Sequence, residues 1–113
     1  MKIKLIKNNE AIPRKISDSY EIKNFVTKDF SNKVSLAVSN AKEHFETTKN
    51  KKSDRIYYVL EGKLKISFEG TELIAYAGDV IFIPANTEYK FKGTFRTILV
   101  NSPAFNVNDE NIK

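Results

Sequence analysis

Short runs of β-branched and aromatic residues, separated by turn residues, recur along this chain and constrain its fold more than any other feature. Residues 55–60, 63–68 and 80–83 form such runs, and 63–68 alternates polar and apolar residues with a period of two. That period is typical of a strand with one buried face. Gly62 and Gly78 stand between the runs, where a turn with positive φ suits glycine. Strands repeated at intervals of about 8–12 residues predict an all-β sandwich or barrel.

Weaker patterns extend this prediction to the rest of the chain. Val80–Ile83 is continuously apolar, so we expect it to be covered on both faces. Residues 41–47 carry the one weak helical pattern, and the polar residues 106–113 are expected to fray. Ile12 and Pro13 are expected to break the first strand. The further predicted strands are residues 2–7, 20–26, 34–39, 73–76, 89–91 and 95–100.

Length and composition exclude several classes of protein. A chain of 113 residues is expected to form one domain, with a core over about 34–103 and N-terminal strands within 1–33. The absence of Cys excludes disulfides, thiol nucleophiles and Cys-based metal centres, and the single His44 excludes a multi-His centre. No apolar run approaches the roughly 20 residues that span a bilayer, and the N-terminus does not resemble a signal peptide. We therefore expect a cytoplasmic protein with no membrane partner.

The charge balance is basic but carries little information about partners. Nineteen Lys and Arg face fourteen Asp and Glu, for a net charge of +5. Most of the basic residues are lysines scattered along the chain, as on a solvated surface. A nucleic-acid site would be expected to gather Arg and aromatic residues on one face, so nucleic acid is an unlikely partner.

Two segments resemble the conserved motifs of the cupin family. The stretch 57–64, YYVLEGKL, is similar to the end of the first cupin motif, and the stretch 78–89, GDVIFIPANTEY, is similar to the second. The resemblance covers about residues 34–103. It implies an antiparallel jelly-roll β-barrel that is open at one end over an interior pocket.

The resemblance also shows what this chain lacks. The metal-binding Glu of the first motif falls on Arg55, its two His positions fall on Thr48 and Asn50, and the His of the second motif falls on Tyr89. A guanidinium has no lone pair to offer and repels a divalent cation. We therefore expect no metal and no cofactor, and the metal-dependent activities of cupins are not carried over.

The leading hypothesis for function is a non-metal cupin that binds a small molecule, such as a sugar or an organic acid. With the strand parity of the family, Arg55 faces the interior among aromatic rings, where its guanidinium could bind a carboxylate or phosphate. The alternative for Arg55 is an internal ion pair with Glu46 or Asp54. The residues assigned to ligand binding are Arg55, Tyr57, Tyr89, Phe91 and Glu46.

Two other functions remain open. Some cupins catalyse isomerisation or epimerisation of sugar derivatives without a metal, using a His base and a Tyr acid. Here His44 is the candidate base, Glu46 shares its strand face, and Tyr57 or Tyr89 is the candidate acid. The third possibility is a non-catalytic interaction or regulatory module. The family also leads us to expect a homodimer, with the 2–7 strand packing across to the partner.

Overall fold

An antiparallel sheet of eight strands makes up most of the protein, as the sequence pattern predicts. The computed structural model describes residues 3–112. Two single-turn 3-10 helices, Asn8–Glu10 and Val107–Asp109, accompany the strands. The strands are β1 (Ile12–Ser17), β2 (Tyr20–Val26), β3 (Ser35–Asn50), β4 (Asp54–Phe68), β5 (Thr71–Tyr76), β6 (Val80–Ile83), β7 (Tyr89–Ser102) and β8 (Glu110–Ile112).

Three long strands form the centre of the sheet and carry most of the residues discussed below. The strand order is β1-β2-β3-β7-β4-β5, with β6 added beside β4 and β8 added beside β3. β3, β7 and β4 lie side by side in antiparallel register, with Tyr57 of β4 opposite Leu99 of β7. β4 pairs with β6 through its first half and with β5 through its second half. The inward side chains of β3, β4 and β7 therefore converge on one interior.

β-Bulges change which side chains of the long strands point inward. In β4, Arg55, Tyr57 and Val59 are buried before the bulge, whereas Leu64 and Ile66 are buried after it. The buried set thus moves from odd to even positions, as one extra residue requires. The parity expected from the resemblance, with Arg55 facing the interior, is the one observed.

The bulge in β3 turns His44 inward. The pairing register of β3 with β7 shifts between Ala41 and His44, and Glu43 has a φ of 48° there. Before the bulge, Ser39 and Ala41 are buried; after it, His44 and Thr48 are buried. Without the extra residue, His44 would point out of the sheet.

Several predicted elements differ from the structure. Residues 3–7 form no regular element, so the predicted 2–7 strand is wrong over that range, and Lys2 lies outside the described residues. The weak helical pattern at 41–47 is part of β3. Pro13 does not end a strand but lies within β1, which is an edge strand where a missing N–H is tolerated.

Two expectations about burial and order are also wrong. Within this chain, β6 is covered on one face only, because Ile81 and Ile83 are buried while Val80 and Phe82 are more than half exposed. The polar C-terminal residues do not fray over 107–112: they form a helical turn and β8, which pairs with Thr48–Asn50 of β3. This pairing brings a carboxylate from the end of the chain into the interior.

The core is a cluster of aliphatic and aromatic side chains between the long strands. Tyr57, Val59, Leu64 and Phe91 are almost fully buried in it. Phe91 lies at its centre, and the centroid of its ring lies 5.5–6.3 Å from those of five neighbouring rings, among them Tyr57. Within residues 3–112, no helix has the length and apolarity that a membrane crossing requires.

Candidate functional site

A pocket enters the interior beside the core and is lined by polar groups on one side. It measures about 610 Å³ when the space open to solvent at its mouth is included, and the part that the centre of a water-sized molecule can occupy is about 60 Å³. Tyr20, Phe91 and Leu99 contribute apolar walls. The buried or partly buried polar residues that line it include Asn24, Ser35, Glu46, Arg55, Tyr57, Asn101 and Glu110.

A buried ion pair dominates the electrostatics of the pocket. Arg55 Nη2 donates to Glu110 Oε1 at 2.6 Å, and Arg55 Nη1 donates to Glu110 Oε2 at 3.0 Å. Both side chains are less than one-tenth exposed. Burial alone would lower the pKa of Arg55, but two neighbouring phenols and the Glu110 carboxylate hold it above its ordinary value. Burial alone would raise the pKa of Glu110, but Arg55 and neighbouring hydrogen bonds lower it. Both groups are therefore charged at neutral pH.

The positions that hold metal ligands in other cupins converge on this ion pair. Thr48 Oγ1 donates to Glu110 Oε2, and Asn50 Nδ2 donates to Glu110 Oε1 at 2.9 Å. Arg55 Nη1 also donates to the Tyr89 hydroxyl at 3.0 Å. The Arg55 guanidinium thus lies where other cupins bind a metal cation, and Glu110 is its counter-ion. These residues do not fit a metal, and no cluster of three or more His, Asp or Glu within residues 3–112 could hold one.

The sequence hypothesis of an internal partner for Arg55 named the wrong carboxylates. Glu110 pairs with Arg55, whereas Asp54 instead accepts a hydrogen bond from the Ala85 backbone N–H at 2.9 Å. Glu46 accepts from His44. Arg55 Nε also donates, to Asn101 Oδ1 at 3.1 Å.

Two tyrosine hydroxyls continue the hydrogen-bond network into the core. The Tyr57 and Tyr89 hydroxyls lie 2.6 Å apart, and both residues are almost fully buried. Burial raises the pKa of both phenols, so both keep their protons at neutral pH. The Tyr89 hydroxyl accepts a hydrogen bond from Arg55 and can donate its own proton to the Tyr57 hydroxyl. The Tyr57 hydroxyl can then donate its proton to a group in the pocket.

His44 lies behind the pocket wall and holds Glu46 in place. Its Nε2 lies 3.0 Å from Glu46 Oε1 and its Nδ1 lies 2.7 Å from Ser19 Oγ. The Tyr20 ring stacks on the imidazole, with centroids 4.6 Å apart and 7° between the planes. When Glu46 is ionised it only accepts, and Nε2 then carries a proton and donates to it. Burial raises the pKa of Glu46, and the contact with His44 only partly offsets this.

One buried polar atom on the pocket wall has no partner. Asn101 is almost fully buried, and its Oδ1 is occupied by Arg55 Nε. Its Nδ2 has no hydrogen-bond partner in the structure. A buried amide donor left unpaired costs about 1–3 kcal/mol, so such an atom in a pocket points to a ligand or an ordered solvent molecule that satisfies it.

The structure brings most of the predicted site residues together. Arg55, Tyr57, Glu46 and Phe91 line the pocket, while Tyr89 and His44 lie one layer behind it. Sequence reasoning missed Asn101 and Glu110. Glu110 has no local signal, because it lies in a polar segment and reaches the pocket only through the pairing of β8 with β3.

The fold is shared with proteins of several activities. Streptomyces PAC13, in a Tyr-to-Phe variant bound to uridine, superposes with a TM-score of 0.87 at 23% identity over 100% of this chain and 92% of that chain. Pac13 is a nucleoside dehydratase. The Halomonas protein KdgF gives a TM-score of 0.78 at 17% identity, over 90% of this chain and 96% of its own. At these identities the likeness shows the fold, which is the predicted cupin barrel.

EutQ proteins are more similar in sequence and cover less of the chain. EutQ from Salmonella typhimurium is 31% identical over 76% of this chain and 71% of that protein, with a TM-score of 0.69. EutQ from Clostridium difficile is 29% identical over 75% of this chain, which spans 63% of that protein, with a TM-score of 0.70.

A family model matches most of the chain. No curated protein matches the chain significantly. The model described as ethanolamine utilisation protein EutQ matches residues 2–106, which include both cupin motifs. The chain therefore belongs to the EutQ family.

Proposed function

We propose that this chain binds a small hydroxylated molecule in the pocket, such as a sugar, a nucleoside or an organic acid. The observation that carries the proposal is the unpaired Nδ2 of Asn101 on the pocket wall. Tyr57 lies on the same wall and can offer a second donor. Two donors beside apolar rings suit a molecule with hydroxyl or carbonyl oxygens on a flat or ring-shaped frame.

The comparisons support a ligand of this kind. The PAC13 structure that covers the whole of this chain contains uridine, which carries both hydroxyls and a flat ring. The present pocket combines the aromatic side chains of Tyr20 and Phe91 with the polar wall. Uridine and its sugar, ribose, are therefore suitable first probes.

Isothermal titration calorimetry with uridine and ribose tests the proposal. Asn101→Asp keeps the acceptor for Arg55 but removes the donor, and it should weaken binding by about tenfold or more. Asn40→Asp is the matched control, because it adds the same charge at an exposed position on β3 outside the pocket. Equal affinities of Asn101→Asp and the wild type would contradict the role of Asn101, and no binding of either probe would contradict this ligand class.

A second candidate function is metal-independent acid–base chemistry on the bound molecule. It is favoured by the pair of Glu46 and His44, since Glu46 lines the pocket and has a raised pKa. Glu46 would take a proton from the carbon next to a carbonyl, and Tyr57 would donate its proton to the carbonyl oxygen, which gives an enol. Isomerisation or epimerisation is completed when Glu46 returns the proton to carbon and Tyr57 takes its proton back from the oxygen. Loss of water is completed instead when a hydroxyl on the next carbon leaves with the proton that Glu46 holds. Glu46 rather than His44 touches the substrate here, and His44 is a positioning residue.

Solvent exchange measures this activity without knowledge of the product. Aldoses and ketoses are incubated with the protein in D₂O, and NMR follows loss of the proton next to the carbonyl. Glu46→Gln should abolish the exchange, and Tyr57→Phe should keep it but stop turnover to product. His44→Gln should slow exchange about 10–100-fold and shift its pH profile, because it changes the surroundings of the base. Exchange that survives Glu46→Gln would exclude Glu46 as the base.

A further inference from the structure

We infer that Glu110 determines the charge of the ligand: the C-terminal strand β8 supplies the counter-ion of Arg55, so the pocket accepts an uncharged hydroxylated molecule and discriminates against carboxylates and phosphates. This inference rests on the proposed binding function and narrows it, since an organic acid is then disfavoured. It concerns a residue beyond the range 2–106 that the family model matches.

Four of the five N–H donors of Arg55 are already committed. Nη1 and Nη2 donate to the two carboxylate oxygens of Glu110, Nη1 also donates to the Tyr89 hydroxyl, and Nε donates to Asn101 Oδ1. The fork that would recognise a ligand carboxylate or phosphate is therefore occupied by a carboxylate of the chain itself.

Glu110 is fixed in this position from several sides. Its oxygens accept from Thr48 and Asn50 as well as from Arg55. Its backbone lies in β8, opposite Asn50 of β3, and the preceding turn is tied down where the Lys51 N–H donates to Asp109 O at 2.9 Å. An anionic ligand would have to displace Glu110 to bind the paired donors of Arg55 Nη1 and Nη2.

The other charged groups of the pocket do not favour an anion at its polar wall. Among the described residues that line it, the acidic side chains are Glu46 and Glu110, and the basic ones are Arg55 and Arg14. Arg14 is exposed, with its guanidinium 5.7 Å from the Phe105 ring, so water screens its charge. Asn101 Nδ2 and the Tyr57 hydroxyl are neutral donors that remain for a ligand, and they suit hydroxyl or carbonyl oxygens. One N–H of Arg55 Nη2 also remains, and Glu110 already offsets its charge.

Calorimetry with a matched pair of probes tests the inference. Uridine and uridine 5′-carboxylate have the same frame and differ by one negative charge. The wild type should bind uridine at least about tenfold more tightly, and Glu110→Ala, which frees the fork, should reverse the preference. Glu110→Gln keeps the side-chain volume without the charge and should lose most of the discrimination, so it replaces Glu110→Ala if that variant does not fold.

Acetate provides a probe that does not depend on the identity of the ligand. Sodium acetate should raise the melting temperature of Glu110→Ala relative to sodium chloride of equal ionic strength, because acetate takes the place of the lost carboxylate. The wild type should show no such difference. Asn111→Ala, on the same strand and exposed, is the control and should behave as the wild type does.

The outcomes separate this inference from the proposed function. Equal affinity of the wild type for the two nucleosides, or unchanged discrimination in both Glu110 variants, would overturn the role of Glu110 while ligand binding stands. No nucleoside binding by any variant, together with acetate stabilisation of Glu110→Ala, would overturn the proposed ligand class and leave Glu110 as the counter-ion of Arg55. No nucleoside binding and no acetate effect would overturn both.

Discussion

At the scale of single residues, two glutamates on one pocket wall have opposite electrostatic surroundings. Glu110 lies in the Arg55 fork, and its pKa is lowered. Glu46 is desolvated beside His44, and its pKa is raised. A lowered pKa means that the folded state favours the charged carboxylate, and a raised pKa means that it favours the protonated one. The two residues should therefore respond oppositely to the same substitution.

Glu110→Gln should destabilise the protein by about 3 kcal/mol at neutral pH, because it leaves Arg55 buried without its counter-ion. The stability that the Glu110 charge supplies is present above its unfolded pKa, near 4.5, and is lost as pH falls through the lower folded value. The difference in the free energy of unfolding between the variant and the wild type should therefore decrease below about pH 4.5. Urea denaturation across pH measures it, and a difference that does not vary with pH would contradict this account.

Glu46→Gln should leave stability unchanged or increase it at neutral pH. The ionised Glu46 costs free energy in the fold, and this cost develops as pH rises from the unfolded pKa, near 4.5, towards the raised folded value. The free energy of unfolding of the variant should therefore increase relative to that of the wild type as pH rises, and the two should be equal in acid. The same denaturation series gives the comparison, and a loss of stability that grows with pH would show that Glu46 is favoured in its charged form.

At the scale of elements, β-bulges determine which side chains of the long strands β3 and β4 face the interior. The bulge in β3 carries Glu43 at positive φ and turns His44 and Glu46 towards the interior. The bulge in β4 is followed by Gly62, at a φ of 80°, where an added Cβ would lie 2.1 Å from Thr94 O. A residue with a side chain therefore meets both backbone strain and a steric clash at this position.

Gly62→Ala and Gly70→Ala separate these two effects. Gly70 also has a positive φ, of 77°, but an added Cβ meets nothing within 4 Å. Gly70→Ala should cost about 1 kcal/mol from backbone strain alone. Gly62→Ala should cost about 3 kcal/mol or more, since Thr94 must also move. Chemical denaturation of both variants provides the measurement, and equal losses would mean that the clash with Thr94 is relieved without cost.

At the scale of the whole molecule, a row of apolar side chains remains on the outside of the sheet. Ile56 and Tyr58 of β4 stand opposite Phe82 and Val80 of β6, and all four are more than one-third exposed. A contiguous apolar face of this kind is typical of a surface that another protein covers. The homodimer expected from the family remains a prediction, and this face is the surface on which we place it.

Phe82→Glu should shift a homodimer to monomer, because it puts a charge into the centre of the apolar face. Phe45→Glu is the matched control, since Phe45 is equally exposed but lies on β3, away from β4 and β6. Light scattering coupled to size exclusion gives the mass of each variant. A wild type that is monomeric at the highest concentration used would contradict the dimer, and dissociation by both variants would place the interface elsewhere.

Local patterns in the sequence predicted much of this protein because they report on neighbours along one strand. The alternation around Leu64 and Ile66 and the turn glycines are such patterns, and the cupin motifs identified the fold. Arg55 at a metal-ligand position likewise indicated that the usual set of metal ligands is missing. The contacts that shape the site connect residues far apart in the chain. Glu110 meets Arg55 only because β8 pairs with β3, and Asn101 is left with a free donor only because Arg55 takes its oxygen.

The amino-acid sequence by itself determined an all-β barrel, the glycines at its tight turns and the cationic side chain where a metal would stand, since each depends on side-chain size, charge or local period. Tertiary structure alone decided which carboxylate neutralises that cation, which donor is left for a ligand and which of Glu46 and His44 reaches the pocket. The physical reason is that strand pairing and bulges set these partners, and both depend on packing among distant segments rather than on the residues next to them.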